Sequence, residues 1–305
     1  MMHKDKIQKL KAIYEQGGNI IRYLKDMENR EKNTIDDILI SYDLQAGSDS
    51  KWYKEHEEWK DRYLTRFTDI IDGFDCPKNS ILECGCGEAT TIAPLMRKVK
   101  TSSLQWYGID ISWSRLKAGQ LLANEVLKDF EVKPNLAVGD MFDLPFADNS
   151  VDIVYSSMSM EPNGGNEKAI LQELYRVASE YLLLIEPAYE FADAEAKKRM
   201  EEHGYVRDLY GIVKKLGYEV VTWELYGIST NPLNPEGLMI IKKKRCESKS
   251  VEPTWYCPIS KKPLEKIGDT YFSKESYLAY PIVNGVPVLL SDYSIIATKM
   301  NDFIK

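Results

Sequence analysis

The sequence predicts an α/β protein: a doubly wound, mostly parallel sheet with an antiparallel edge strand, preceded by helices and followed by a small β-rich domain. Three observations lead there. From residue 79 onward, short apolar stretches alternate with longer amphipathic ones, the rhythm of a parallel sheet covered on both faces. The first of these stretches ends in Gly85-Cys86-Gly87, just before a helical pattern opens. The last two strand patterns are joined by residues 227–237, which carry no helical periodicity, so these strands pair antiparallel at an edge.

Residues 1–74 read as helical and polar. Apolar side chains recur at spacings of three and four in Ile7, Leu10, Ile13 and Tyr14, and again in Trp59, Tyr63, Phe67, Ile70 and Ile71. They form an N-terminal cap or lid that must pack on something. Residues 45–50 are a turn cluster, with Asp49 or Ser50 as the N-cap of the next helix. Strands are expected at 80–84, 104–109, 135–138, 151–156 and 181–185, with helices at 90–99, 114–130 and 168–179 between them. One helix over 193–216 and strands at 218–226 and 238–242 complete a unit spanning 75–244. Residues 245–251 continue a charged run that begins at Lys242. The run reads as a solvated linker, with a nucleic-acid contact as the alternative. Residues 252–305 are rich in Tyr, Pro and Gly and carry short strand patterns at 270–272, 280–283 and 286–290.

With 305 residues, 44% hydrophobic and 29% charged, the chain has a globular composition and is neither collagen-like nor wholly disordered. Its longest apolar runs, such as 181–185 and 286–290, are five residues, far short of the ~20 that span a bilayer. The opening MMHKDKIQKLKAIYE mixes charges with apolar residues and lacks an uninterrupted hydrophobic region. Five cysteines, an odd number with no C-x-x-C pair, read as reduced thiols. A cytoplasmic protein is expected. The net charge of −7 hides an asymmetry: residues 241–305 carry 11 basic and 7 acidic side chains, leaving 29 and 40 for residues 1–240. A body at −11 repels a phosphate backbone, so nucleic acid is a disfavoured partner. Three histidines leave few candidates for His-based catalysis or a His-rich metal site.

The sharpest local feature is Ile81-Leu82-Glu83-Cys84-Gly85-Cys86-Gly87-Glu88-Ala89. Glycines at a strand-to-helix turn let backbone pass close to a ligand, and the helix N-terminus offers free N–H groups. A dinucleotide fingerprint would place a third glycine where Thr90 stands. Glu83, at the strand end, is placed to meet a cationic amino group. Asp110 ends the second strand pattern, 23 residues after Gly87, where an acid accepts the hydroxyls of a ribose; as the residue before a helix it also reads as an N-cap, a role Ser112 competes for. Gly139-Asp140-Met141 follows the third strand pattern. Asp140 suits a hydrogen bond to an adenine amino group, and Met141 offers a soft apolar face.

In this order and spacing, the three elements resemble the S-adenosylmethionine-dependent methyltransferases of the Rossmann-like class. The resemblance runs from about residue 78 to 244 and includes Phe146-Ala147-Asp148-Asn149-Ser150-Val151-Asp152 before the fourth strand and Tyr181-Leu182-Leu183-Leu184-Ile185-Glu186-Pro187 in the fifth. It implies S-adenosylmethionine as cofactor and S-adenosylhomocysteine as product. It further implies that Glu83 holds the methionine amino group and that Gly85 and Gly87 line methionine and ribose. Asp110, with Ile111 beside it, would take the ribose hydroxyls, Asp140 and Met141 would flank adenine, and Ser156 would line the methionine end. Ala89 departs from the pattern, since many members have a third glycine there.

The fourth strand runs into Ser156-Ser157-Met158-Ser159-Met160-Glu161-Pro162-Asn163 and lacks the Asn/Asp-Pro-Pro-Tyr/Phe turn of relatives that methylate amide or base nitrogens. Glu161 is the candidate base or substrate anchor, with a surface loop acid as its bland alternative. His203 is a second candidate, more simply read as an exposed helix residue. Trp52, Tyr53 and Trp59 are candidates for aromatic walls of an acceptor pocket. The acceptor is expected to be a small molecule, methylated on a hydroxyl or amine, with a sugar as the specific expectation. The alternatives are a tRNA- or protein-directed methyltransferase and a non-catalytic cofactor-binding scaffold.

In the C-terminal part, Cys257-Pro258-Ile259-Ser260 and Ala279-Tyr280-Pro281-Ile282-Val283-Asn284-Gly285-Val286-Pro287-Val288-Leu289-Leu290 resemble the small zinc-ribbon-like proteins that activate tRNA and release-factor methyltransferases. Zinc needs two thiolate pairs. Ser260 and Ser273 stand where thiols are expected, so no metal is expected. The resemblance implies stabilisation of the catalytic unit or a homodimer contact.

Overall fold

A computed structural model of the chain describes residues 4–76, 78–101, 104–244 and 254–303. Five helices come first: α1 (Lys4–Glu15), α2 (Ile20–Glu28), α3 (Ile35–Leu44), α4 (Ser48–Glu55) and α5 (Glu57–Asp72). Leu10, Ile20, Leu24 and Ile40 give α1 to α3 a small core of their own. Thr34 and Asp37 start α3 with reciprocal side-chain to backbone bonds.

The alternating unit follows as β1 (Ser80–Cys84), α6 (Ile92–Lys98), β2 (Gln105–Asp110), α7 (Trp113–Val126), β3 (Asn135–Val138), β4 (Val151–Ser157), α8 (Glu167–Val177) and β5 (Ala178–Pro187). Then come α9 (Ala194–His203), α10 (Leu209–Lys215), β6 (Glu219–Leu225) and β7 (Glu236–Lys242). The seven strands lie in the order β3-β2-β1-β4-β5-β7-β6. All neighbours are parallel up to β5; β7 runs antiparallel to both β5 and β6. The chain order reverses between β1 and β4, the place where doubly wound sheets open a crevice at the carboxyl ends of their strands.

Strand alternation divides the core into two layers. Ile81, Tyr155, Leu183, Ile185, Leu238 and Ile240 meet Phe67 and Ile71 of α5 on one face. Leu82, Val154, Leu182, Leu184, Met239 and Ile241 meet Leu171 and Leu174 of α8 on the other. Phe67 and Ile71 have no exposed surface, so α5 is a structural wall of the sheet as well as part of the N-terminal segment.

The expected helix over 193–216 is two helices. The break falls at Gly204, whose φ of +69° is left-handed and ends α9. The backbone released there pairs with the loop after β4: Gly164 N–H donates to the Gly204 carbonyl (3.0 Å) and Val206 N–H to that of Glu161 (3.0 Å). The linker expected at 245–251 lies outside the described residues.

The C-terminal module holds β8 (Glu265–Ile267), β9 (Thr270–Ser273), β10 (Leu278–Val283), β11 (Val286–Pro287), β12 (Ile295–Ile296) and a final turn of helix, α11 (Met300–Phe303). The expected strand at 286–290 is cut short at Pro287; Val288 still donates its N–H to the Pro281 carbonyl of β10 (2.9 Å) and also bridges Val138 at the outer edge of β3, in parallel sense. Trp255 wedges between the two units: its ring meets Tyr107 at 5.3 Å, edge-on, and Phe146 at 5.2 Å. Cys257, Ser260, Ser273 and Ser276 converge within the module, with Sγ of Cys257 3.4 Å from the Ser276 hydroxyl and the Ser260 and Ser273 hydroxyls 3.2 Å apart. Among the described residues no helix is long and apolar enough to cross a membrane.

Trp255 is buried against both units, so Trp255→Ala should cost about 3–5 kcal/mol, the usual price of emptying a core site of this size. Urea denaturation of the full chain, followed by far-UV circular dichroism, should show the lower midpoint.

Candidate active site

The turn after β1 packs its glycines closely against neighbouring side chains, Gly85 against Ser159 and Gly87 against Arg115. Gly85 has φ +72°, and its N–H and that of Cys86 both donate to the Ile109 carbonyl, at 2.7 and 2.9 Å. A Cβ on Gly85 would lie 2.2 Å from Cβ of Ser159, so no larger residue fits without displacing the loop after β4. Gly87 donates its N–H to Oδ2 of Asp110 (2.9 Å), while Oδ1 accepts from Ser112 N–H (2.9 Å). Ser112 is itself the N-cap of α7, which leaves Asp110 free of that role. Burial, opposed by these two bonds, pushes the Asp110 carboxyl up to about 6. Ala89 also has a left-handed φ of +56°, at a cost of about 1 kcal/mol relative to glycine.

A cavity of about 420 Å³ opens over this turn. Glu83, Gly85, Gly87, Asp110, Ile111, Asp140, Met141 and Glu161 all line it. Asp140 accepts the N–H of Phe142 at 2.9 Å, and burial raises its carboxyl. Glu161 accepts from Asn234 Nδ2 at 2.9 Å and is likewise raised by burial. Trp52 and Trp59 are part of the wall; Tyr53 is not.

Two expected residues stand elsewhere. Ser156 is fully buried and does not line the cavity; its hydroxyl bonds Glu186 and Ser159. The reason is strand alternation: Tyr155 and Ser157 point to the α5 side, where the cavity lies, and Ser156 points away. His203, exposed at the end of α9, lines a second cavity of about 660 Å³ among α2, α3 and α9 and stacks on Tyr205. It is not assembled with the other residues.

Three groups escaped the sequence reading. Lys60 of α5 is buried, reaches the Thr91 hydroxyl at 3.0 Å, and shares its surroundings with Glu83. Glu83 accepts the Tyr155 hydroxyl at 2.9 Å. Burial raises the Glu83 carboxyl and lowers the Lys60 ammonium, while each opposes the other's shift by its charge. Glu236, the first residue of β7, also lines the cavity, with one carboxylate oxygen buried and without a hydrogen-bond partner. Glu186 sits below the floor and gathers the loop after β4 by accepting from the N–H groups of Ser159 (3.0 Å) and Met160 (3.2 Å). Strand parity was the available signal for Glu236, since Leu238 and Ile240 two and four residues on face the same side.

The N-terminal segment is tied to the turn by Glu88. This buried carboxylate accepts from the N–H groups of Gly47 (2.9 Å), Asp49 (3.3 Å) and Ser50 (2.8 Å) and from the Ser50 hydroxyl (2.6 Å). The N-cap expected from Asp49 or Ser50 is therefore replaced: Gly47 holds the cap position without a side-chain bond, and Glu88 supplies the acceptor. Asp43, in α3, adds bonds to the hydroxyls of Ser112 (2.7 Å) and Ser114 (3.0 Å) at the start of α7.

Burial pushes the Glu186 carboxyl up to about 7, against the pull of its Ser156, Ser159 and Met160 bonds. A carboxyl raised in the folded state destabilises it: the penalty is absent below the unfolded value near 4.5, grows with pH, and is full above about 7. Glu186→Gln should therefore match wild type in thermal melts at pH 4 and melt progressively higher from pH 5 to 8.

Residues 81–180 match the family model described as a methyltransferase domain. An ajmaline N-methyltransferase from Rauvolfia serpentina is 27% identical over 157 residues, 52% of this chain and 50% of that one. A tRNA N(3)-methylcytidine methyltransferase from Drosophila melanogaster is 27% identical over 224 residues, 68% of this chain and 67% of that one. The chain thus spans about half the length of the first relative and two thirds of the second. Among solved structures, a magnesium protoporphyrin IX methyltransferase from Synechocystis with bound S-adenosylhomocysteine aligns over 62% of this chain and 84% of its own, at 18% identity and a TM-score of 0.47. Over residues 81–180 the chain is therefore similar to methyltransferase domains.

Proposed function

We propose that the whole chain transfers the methyl group of S-adenosylmethionine to a hydroxyl or amine of a small molecule. The observation that carries this is the glycine turn itself: Gly85 and Gly87, with Asp110 bonded to the Gly87 N–H, line one cavity together with Glu83, Asp140 and Met141. Asp110 has two oxygens already oriented by backbone N–H groups and open to ribose hydroxyls. Asp140 and Met141 are assigned to adenine, Glu83 to the amino group, and Lys60 beside Thr91 to the carboxylate of the methionine end. When bound, the cofactor supplies an electrophilic methyl on a sulfonium, and the protein's task is to align a nucleophile and exclude water.

The acceptor end of the cavity is walled by Trp52, Trp59 and Tyr63, with Ile35 and Ile38 of α3 opposite the turn. A cavity of this size, lined by these aromatic and apolar residues, suits a small molecule. The relative named as an ajmaline N-methyltransferase supports the reading. The tRNA relative favours a nucleic-acid acceptor, against the −11 charge of residues 1–240. Salt-dependent retention on immobilised tRNA would support that second reading. We further infer that the C-terminal module is a zinc-ribbon-like fold whose ligand positions are now Cys257, Ser260, Ser273 and Ser276. Their spacing as two x-x pairs and their convergence support it.

S-adenosylhomocysteine should raise the melting temperature of the full chain and NAD should not; stabilisation by NAD alone would overturn the proposal. In calorimetry, Asp110→Ala should weaken S-adenosylhomocysteine binding at least 100-fold, and unchanged affinity would remove the ribose assignment.

A further inference from the structure

The acceptor wall is a file of rings that ends on a carboxylate. Trp52 meets Trp59 edge-on with centroids 5.3 Å apart, and Trp59 stacks on Tyr63 at 5.2 Å. The Tyr63 hydroxyl lies 2.9 Å from that of Ser157 and also bonds Glu236. Glu236 is 6% exposed, lines the cavity, and has Oε2 buried without a partner. An orphaned carboxylate oxygen is costly in such a place unless a ligand supplies the missing donor.

Its charged neighbours decide which donor. Lys60 is the ammonium nearby, and it is shared between two carboxylates, with Glu83 the stronger influence and Glu236 the weaker. Glu161, which also lines the cavity, is already supplied by Asn234 and Tyr205; its negative charge is opposed by Arg199, which leaves the three carboxylates Glu83, Glu161 and Glu236 against the two cations Lys60 and Arg199. The other groups facing Glu236 are Tyr63 from α5, Tyr226 at the end of β6 and Ser229 in the following loop, all neutral. The acceptor end therefore keeps an excess of negative charge beside three aromatic rings, a combination that favours an organic cation over a neutral hydroxyl of the same shape.

Resting on the methyltransferase reading above, we propose that the acceptor is an amine that enters as its ammonium between Trp52, Trp59 and Tyr63 and that Glu236 is the base that takes its proton. The ammonium N–H donates to Oε2 of Glu236 and passes the proton to that oxygen, freeing the nitrogen lone pair. The lone pair then forms the new bond to the methyl carbon as the carbon–sulfur bond breaks, its electron pair returning to sulfur. The product leaves as an N-methylammonium, and Glu236 returns its proton to solvent. Burial holds the Glu236 carboxyl up at about 7, opposed by Lys60, within reach of such a transfer at neutral pH.

The test uses the full chain saturated with S-adenosylhomocysteine and follows tryptophan fluorescence on titration with benzylamine or its neutral counterpart, benzyl alcohol. At pH 8 benzylamine should bind at least tenfold more tightly, and the preference should shrink as the pH is lowered to 6 and Glu236 takes up a proton. Glu236→Gln should abolish the preference while binding S-adenosylhomocysteine within twofold of wild type, and Glu236→Asp should keep part of it. No saturable binding of benzylamine, equal binding of the two probes, or a preference that survives Glu236→Gln would overturn the proposal. Failure of S-adenosylhomocysteine to bind the wild type would instead remove the methyltransferase reading on which it rests.

Discussion

The carboxylate of Glu88 receives four hydrogen bonds from the first turn of α4, and the assembled site depends on it. Glu88 belongs to the glycine turn after β1, so the element that would carry the cofactor also fixes where α4 starts. Helix starts carry unpaired N–H groups and a partial positive charge, and a buried anion is their natural partner. α4 brings Trp52, and α5, which begins two residues after α4 ends, brings Trp59, Lys60 and Tyr63. Orientation of Trp52, Trp59 and Tyr63 is thereby coupled to the glycine turn. Arg115 of α7 pairs with Asp49 across the same junction, and Asp43 binds the start of α7. Each bond alone is worth little, but together they hold a polar N-terminal segment on a sheet with which α1 to α3 share no common core.

The cavity concentrates groups that folding alone would not bury. Glu83, Lys60, Glu186 and Glu236 all lose hydration, and Glu186 and Glu236 each keep one oxygen without a partner. Breaking even a paired buried charge is expensive, and an orphaned one is worse. Such a set persists where a ligand's charges complete it. The methionine end of the assigned cofactor offers an ammonium to Glu83 and a carboxylate to Lys60, which would convert an internal compromise between those two into two separate pairs. Glu186 is different in kind: its bonded oxygen organises the backbone of Ser159 and Met160, and so acts on the cavity by shaping its floor.

What the sequence made legible follows the range of the interactions concerned. The glycine turn, Asp110 and the Asp140–Met141 pair could be read because each is a local pattern at a strand end, and the same is true of the strands themselves. Ser156 was misplaced for want of parity: with Glu83 opposite Tyr155 in register, Ser157 and not Ser156 shares the cavity face. Glu236 obeys the same parity through Leu238 and Ile240, but nothing local distinguishes it from any acid at a strand start. Lys60 and Glu88 were out of reach altogether, because a lysine in an amphipathic helix and a glutamate after a glycine are ordinary until tertiary packing puts Thr91 beside one and the start of α4 beside the other. The single helix over 193–216 failed for a related reason: the backbone freed at Gly204 is stabilised by pairing with residues 161–164, which no periodicity encodes.

The C-terminal module belongs to the same logic, because it meets the sheet where the sheet is weakest. β3 is an edge strand, and an edge presents unpaired backbone groups. Leu289 N–H takes the Val138 carbonyl at 2.8 Å, and Trp113, Lys117 and Gln120 of α7 donate in turn to the carbonyls of Val283, Asn284 and Gly285 at 3.1, 3.0 and 3.1 Å. Lys261 pairs with Asp143, and Tyr256 N–H donates to Pro145 at 2.8 Å. Asp140 and Met141 lie between Val138 and Asp143, so both flanks of their loop are held by the module. The cavity wall that these two residues form is thus stabilised from outside the alternating unit. That dependence gives the module a physical part in the site even though none of its described residues lines the cavity.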